Sequence, residues 1–158
     1  MGWEALKEAT KTSISDVLET MFFLPLELSE SKGGGGLSQT PKDQLMGVGL
    51  KFSGPMSGEV VILLPIKLAR SLTADFLGQE NAGVGTSEME GTVKELVNMI
   101  TGKALSLFDE GAIFKLGIPE AAEPAEPIDG FFSEDDNAFT LLFNAIEHQL
   151  ALRITIGS

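Results

Sequence analysis

The sequence predicts an α+β domain in which an antiparallel sheet carries helices, and three observations lead there. Two long stretches, 3–21 and 86–108, repeat apolar residues every three or four positions, the stripe that a helix lays against a core. Four segments alternate apolar with small or polar residues and form two adjacent pairs joined by turn-forming residues, which is hairpin patterning. The order helix, strands, helix, helix, strands lacks the regular strand–helix alternation of a parallel sheet. A length of 158 residues fits one domain, 1–158, whose core needs no disulfide or metal staple.

In chain order, Trp3, Leu6, Ile14, Val17, Leu18 and Met21 line the first helix, and Pro25 limits its continuation. Leu24, Leu26 and Leu28 then alternate as a short edge strand, where a proline is tolerated. Gly33 to Gly36 have too much backbone freedom to lose, so a mobile loop is expected near residues 31–44. Met46, Val48, Leu50 and Phe52 alternate, Ser53 to Ser57 supply a turn, and Glu59 to Leu64 form the return strand. Pro65 suits the first turn of a helix through Leu68, Leu72 and Phe76, which Gly78 stops. Thr86 or Ser87 can cap the second long helix, with Glu88 and Glu90 near its positive end. Phe114, Leu116 and Ile118 predict a further strand, and the acidic, proline-containing stretch 119–136 a second mobile loop. Phe139, Leu141 and Phe143, then Leu150, Leu152, Ile154 and Ile156, predict a closing hairpin that turns over Asn144 to His148.

Composition removes several function classes. Eleven Lys+Arg against 23 Asp+Glu give a formal charge of −12, which repels phosphate backbones and anionic lipid heads, so neither nucleic acid nor membrane is expected as a partner. Cysteine is absent and His148 is the lone imidazole. Thiolate nucleophiles, Cys/His zinc sites and Ser-His-Asp triads therefore have little to work with, and no metal site is expected. The N-terminus lacks the basic start and apolar core of a secretory signal, and the apolar run from Val60 to Ile66 is too short to cross a bilayer. The expected compartment is the cytoplasm.

The second long helix carries the informative pattern. At about 100° per residue, Met89, Val93, Leu96, Val97, Ile100, Ala104, Leu107 and Phe108 gather on the arc that must face the core. Gly91, Glu95, Asn98, Gly102 and Ser106 fall almost opposite, so a carboxylate and a carboxamide stand one turn apart and point outward. A mid-helix glycine costs about 1 kcal/mol relative to alanine, and a ridge with two of them gains from the missing side chains if another macromolecule approaches the backbone there. On spacing alone, a Glu and an Asn three apart are most often two solvated surface residues.

The run Glu95-Leu96-Val97-Asn98-Met99-Ile100-Thr101-Gly102-Lys103-Ala104 resembles the signature helix of the CheX, CheC and FliY phosphatases of bacterial chemotaxis, and most closely that of CheX. The hairpin at Ser53 to Leu64, the helix from Leu68 to Gly78 and the closing strands follow in the order of CheX-like chains. The resemblance implies a twisted antiparallel sheet with two long helices packed on one face plus a shorter helix. It also implies hydrolysis of the aspartyl phosphate of a CheY-like receiver domain, and association as a homodimer. Asn98 would orient the attacking water and Glu95 would pair with a receiver lysine, with Gly91, Gly102 and Ser106 lining the docking ridge. No cofactor of its own is implied; Mg²⁺ is expected on the receiver. CheC-like members repeat Glu-x-x-Asn on the first helix; here Glu19-Thr20-Met21-Phe22 puts a phenylalanine at the amide position, so one active face is expected.

The alternative is a non-catalytic receiver-binding or flagellar-switch module such as FliM, which lacks the Glu/Asn pair that is present here. An acidic dyad among Glu134, Asp135 and Asp136 is a weaker candidate, because adjacent carboxylates in a polar loop are normally just solvated. His148 reads as a surface residue in a turn, and Trp3 as helix packing.

Overall fold

Residues 3–29, 36–123 and 128–157 are described by a computed structural model. Helix α1 (Glu4–Phe22) forms because Leu6, Ile14, Val17, Leu18 and Phe22 recur on one side, and all five are buried. It ends at Phe23, whose backbone turns left-handed (φ 55°) and whose N–H donates to the Leu18 carbonyl. Strand β1 (Glu27–Leu28) follows Pro25 on the edge of the sheet. A single helical turn, α2 (Gly36–Gln39), and a 3₁₀ turn (Lys42–Gln44) lead into β2 (Leu45–Ser53).

Strand β3 (Gly58–Pro65) returns along β2 in antiparallel register from Phe52↔Gly58 to Leu45↔Pro65. Gly58 must be glycine, because a Cβ there would strike the Thr155 carbonyl oxygen and the Phe52 ring. Pro65 stands just before α3 (Ile66–Leu77), which Gly78 closes with a left-handed φ of 69°. Helix α4 (Thr86–Phe108) is capped differently from expectation: Gly85 is the cap residue, and its N–H donates to Glu88 Oε1 at 2.9 Å. The Glu88 carboxylate thus reaches back to the cap residue's own N–H, and Thr86 and Ser87 lie inside the helix without acting as its cap.

Beyond α4, β4 (Lys115–Leu116) and β5 (Glu120–Ala121) both pair with the outer edge of β2. A 3₁₀ turn (Ile128–Phe132) precedes β6 (Ala138–Ala145) and β7 (His148–Ile156). The sheet order is β1-β6-β7-β3-β2-β4, with β5 also on β2, and every pairing is antiparallel.

Several expectations change in detail. The predicted strand from Phe114 to Ile118 shrinks to two residues, and Ile118 is exposed. The closing turn is only Ile146 and Glu147, so His148 belongs to β7 and pairs with Ala145. The stretches read as loops contain α2, two 3₁₀ turns and β5: β5 finds backbone partners on the outer edge of β2, whereas Leu37 of α2 and Phe131 of the second 3₁₀ turn pack on the sheet with Leu63, Leu142 and Ala151. The glycines Gly33 to Gly35, and the mobility expected of residues 31–35 and 124–127, lie outside the described residues.

Alternate residues of the sheet (Val48, Leu50, Val60, Ile62, Leu141, Phe143, Leu150 and Leu152) face α1, α3 and α4 in one core. The opposite face holds a smaller cluster of Leu37, Leu45, Leu63, Phe131, Leu142 and Ala151. Midway along the helices, Ser13 Oγ donates to the Ile100 carbonyl at 2.7 Å. At one end Phe22 stacks on Phe76 at 5.5 Å, and Gln79 Nε2 donates to Glu88 Oε2 at 3.4 Å. The C-terminal ends of α1 and α3 therefore meet the first turn of α4, and α1 and α4 run in opposite directions.

Candidate functional site

Helix α4 spans 23 residues and buries Met89, Thr92, Val93, Leu96, Val97, Ile100, Thr101, Ala104 and Leu105. That side is fixed by packing on α1, α3 and the sheet, so the opposite side is turned out. Glu95, Gly91 and Ser106 are exposed, and Asn98 and Gly102 are half-buried, so the band expected to face outward does so. Leu107 was expected in the core and is instead 45% exposed; Leu105 is buried near the helix end.

Neither Glu95 nor Asn98 has a hydrogen-bond or ion-pair partner among the described residues. The nearest cations in sequence are occupied elsewhere: Lys94 pairs with Glu90 at 3.0 Å and Lys103 with Asp16 at 3.6 Å. The Glu95 carboxylate is thus uncompensated by its own chain, and the Asn98 amide keeps both its donors and its acceptor free. Five surface clefts are lined by other residues. The pair stands on a convex ridge, suited to entering a partner's pocket.

The two ridge glycines are not equivalent. A Cβ at Gly91 would meet nothing within 4 Å, whereas one at Gly102 would lie 3.7 Å from Leu116 Cδ1. The clearance at Gly102 is therefore partly filled by the chain's own β4. Sequence reasoning missed this because β4 reaches the ridge only through its pairing with β2.

The first helix also needs a different register. Phe22 is buried against Phe76 and does not face outward. The exposed–buried–buried–outward sequence of Glu95, Leu96, Val97 and Asn98 recurs at Asp16, Val17, Leu18 and Glu19. The amide position of a second copy is therefore Glu19, an acid. The alternation of apolar positions in α1 already held that signal.

The remaining candidates have local structural tasks. Glu134 lies 3.9 Å from Lys7, Asp135 Oδ1 accepts the Asn137 N–H at 2.8 Å, and the Asp136 carbonyl accepts the Trp3 indole N–H at 2.9 Å. Among the described residues, no three of His, Cys, Asp and Glu gather closely enough to hold a metal ion, and no helix is long and apolar enough to cross a membrane.

Solved structures share the whole architecture. The chemotaxis protein CheX of Vibrio vulnificus is 19% identical, with 96% of each chain covered and a TM-score of 0.72. A CheC-like chemotactic protein of Shewanella oneidensis is 20% identical, with 99% of this chain and 100% of that one covered and a TM-score of 0.70. The CheX of a CheX–CheY–BeF3–Mg²⁺ complex from Borrelia burgdorferi is 19% identical, with 97% and 98% covered and a TM-score of 0.67. No curated protein sequence matches the chain. The family model described as chemotaxis phosphatase CheX matches residues 46–127, from β2 through α3 and α4 to just beyond β5. That span is more than half of the chain and contains the whole ridge around Glu95 and Asn98, and the chain belongs to the chemotaxis phosphatase CheX family.

Proposed function

We propose that this protein accelerates hydrolysis of the aspartyl phosphate on a CheY-like receiver domain, with Asn98 orienting the attacking water and Glu95 holding the receiver in register. The observation that carries the reading is the unpartnered Glu95/Asn98 pair on the outward ridge of α4. A complex of a similarly folded CheX with CheY, BeF3 and Mg²⁺ is a precedent for that partner.

The chemistry asks little of the protein. An acyl phosphate is already activated, and the receiver's Mg²⁺ neutralises the phosphoryl oxygens. What is left is to hold one water in line behind phosphorus, opposite the leaving carboxylate. A carboxamide does this with one acceptor and two donors and takes no proton itself. Water attacks phosphorus, the P–O bond to the aspartate breaks, and inorganic phosphate and a free carboxylate leave. Glu95, acceptor-only, matches a donor-only lysine ammonium beside the phosphoacceptor, and this charge-assisted bond fixes the docking register. Gly91 lets the receiver approach the α4 backbone, and Ser106 and Gly102 lie further along the same ridge.

Loss of label from a phosphorylated receiver tests the reading. Asn98→Ala should abolish acceleration with binding retained, whereas Glu95→Ala should mainly raise KM. Full activity in Asn98→Ala removes the proposed role. Binding without a shorter phosphoryl lifetime in the wild type would instead mark a non-catalytic receiver-binding module. Homodimerisation and a cytoplasmic setting belong to the same proposal; sedimentation at micromolar concentration and fractionation of cells test them.

A further inference from the structure

Phe23 is the most unusual residue of the helix layer. Its backbone is left-handed at φ 55° and its side chain is 86% exposed. The corresponding end of α3 uses Gly78 for the same left-handed turn. A bulky residue in that region carries strain that glycine escapes, and an exposed ring returns nothing to folding. Met21, Phe76 and Leu77 are exposed as well, between 40% and 45%, and the stacking of Phe22 on Phe76 holds the two helix ends that carry all four residues against each other. Scattered apolar residues need no explanation, but a contiguous patch does.

The patch adjoins the ridge. Leu77 is two residues from Gln79, which touches Glu88 in the first turn of α4. From Glu88 to Glu95 the helix axis advances only about 10 Å. A specific interface buries about 800 Å² per partner, a footprint about 30 Å across, which two prongs on a ridge with two glycines do not supply. At the far end Leu116 closes against Gly102, while at the near end Gly91 is open. The footprint is therefore completed on the Phe23 side.

We propose that Met21, Phe23, Phe76 and Leu77 form the apolar anchor on which the receiver domain rests while Glu95 and Asn98 enter its phosphorylated pocket. The inference rests on the proposed function and adds the partner's chemistry: an apolar patch beside the pocket that holds the phosphoaspartate and its lysine.

Steady-state dephosphorylation and binding of the beryllofluoride-loaded receiver test it with Phe23→Gly, Met21→Gln and, as an apolar control, Phe23→Leu. Phe23→Gly relieves the strained φ, so its Tm should equal or exceed that of the wild type, which separates docking from folding. KM and Kd should rise at least about fivefold in Phe23→Gly, with kcat within about twofold, and stay near wild type in Phe23→Leu. Unchanged KM and Kd in Phe23→Gly overturn the inference. Unchanged KM with altered self-association in sedimentation assigns the patch to a second copy of the chain and overturns it equally. If the wild type binds the loaded receiver without speeding label loss, the catalytic reading fails, and the effect of Phe23→Gly on Kd still decides the anchor.

Discussion

Replacing Gly91 by alanine separates two demands on the same helix position. Gly91 lies inside α4 with an ordinary helical φ, and a Cβ there meets nothing within 4 Å. With no clash to offset the propensity gain, Gly91→Ala should stabilise the fold by about 1 kcal/mol. For a chain of this size that is a rise of about 2–4 °C in Tm. On the docking side the added methyl stands between α4 and the receiver, one turn before Glu95. Overpacking by one methyl costs about 1–2 kcal/mol, which would raise KM for the phosphorylated receiver roughly five- to thirtyfold. Thermal melts and label-loss kinetics on the same preparation read both effects. A lower Tm would show that the backbone at Gly91 is not an ordinary open helix position. A higher Tm with unchanged KM would show that the receiver does not approach the α4 backbone there.

Other substitutions probe the frame behind the site. Gly47→Ala would set a Cβ 2.6 Å from the Ala122 carbonyl oxygen, so it should push β5 off β2, lower Tm and speed proteolysis after residue 118. Phe22→Asn, at a buried stacking position, should cost about 3–5 kcal/mol in denaturant unfolding, whereas Glu19→Asn, on the outward side of α1, should stay within about 0.5 kcal/mol. Ser13→Ala removes the 2.7 Å bond to the Ile100 carbonyl and should cost about 1 kcal/mol by the same measurement, with kcat unchanged. Lys103→Ala breaks an ion pair of 3.6 Å between half-exposed groups and should change stability by less than about 1 kcal/mol.

What could be read without coordinates was whatever one element's own periodicity specifies. The α4 stripe put Glu95 and Asn98 outward because the residues of a helix bury one side against any core, and both hairpins announced themselves by alternation and turn residues. Errors arose where a partner element decided the outcome. Gly85 caps α4 because Glu88 reaches back to its N–H, and Leu107 turns out while Leu105 is buried, because the wheel's far end depends on which neighbours arrive. The acid at Glu19, in place of the amide of a second copy, was hidden by a misplaced register: the frames Asp16–Glu19 and Glu19–Phe22 share that acid, and the apolar stripe through Ile14, Val17 and Leu18, all buried, selects the first.

Local pattern sufficed for the α+β class, for the outward pair on α4 and, through the ten residues around that pair, for the family resemblance. Long-range packing alone set Leu116 beside Gly102, turned Phe22 inward onto Phe76, and left Phe23 exposed at the end of α1. The physical reason is range. Helix and strand periodicities act within a few residues, whereas these contacts join positions far apart in the chain, and they form only when the sheet and the three helices close on one core.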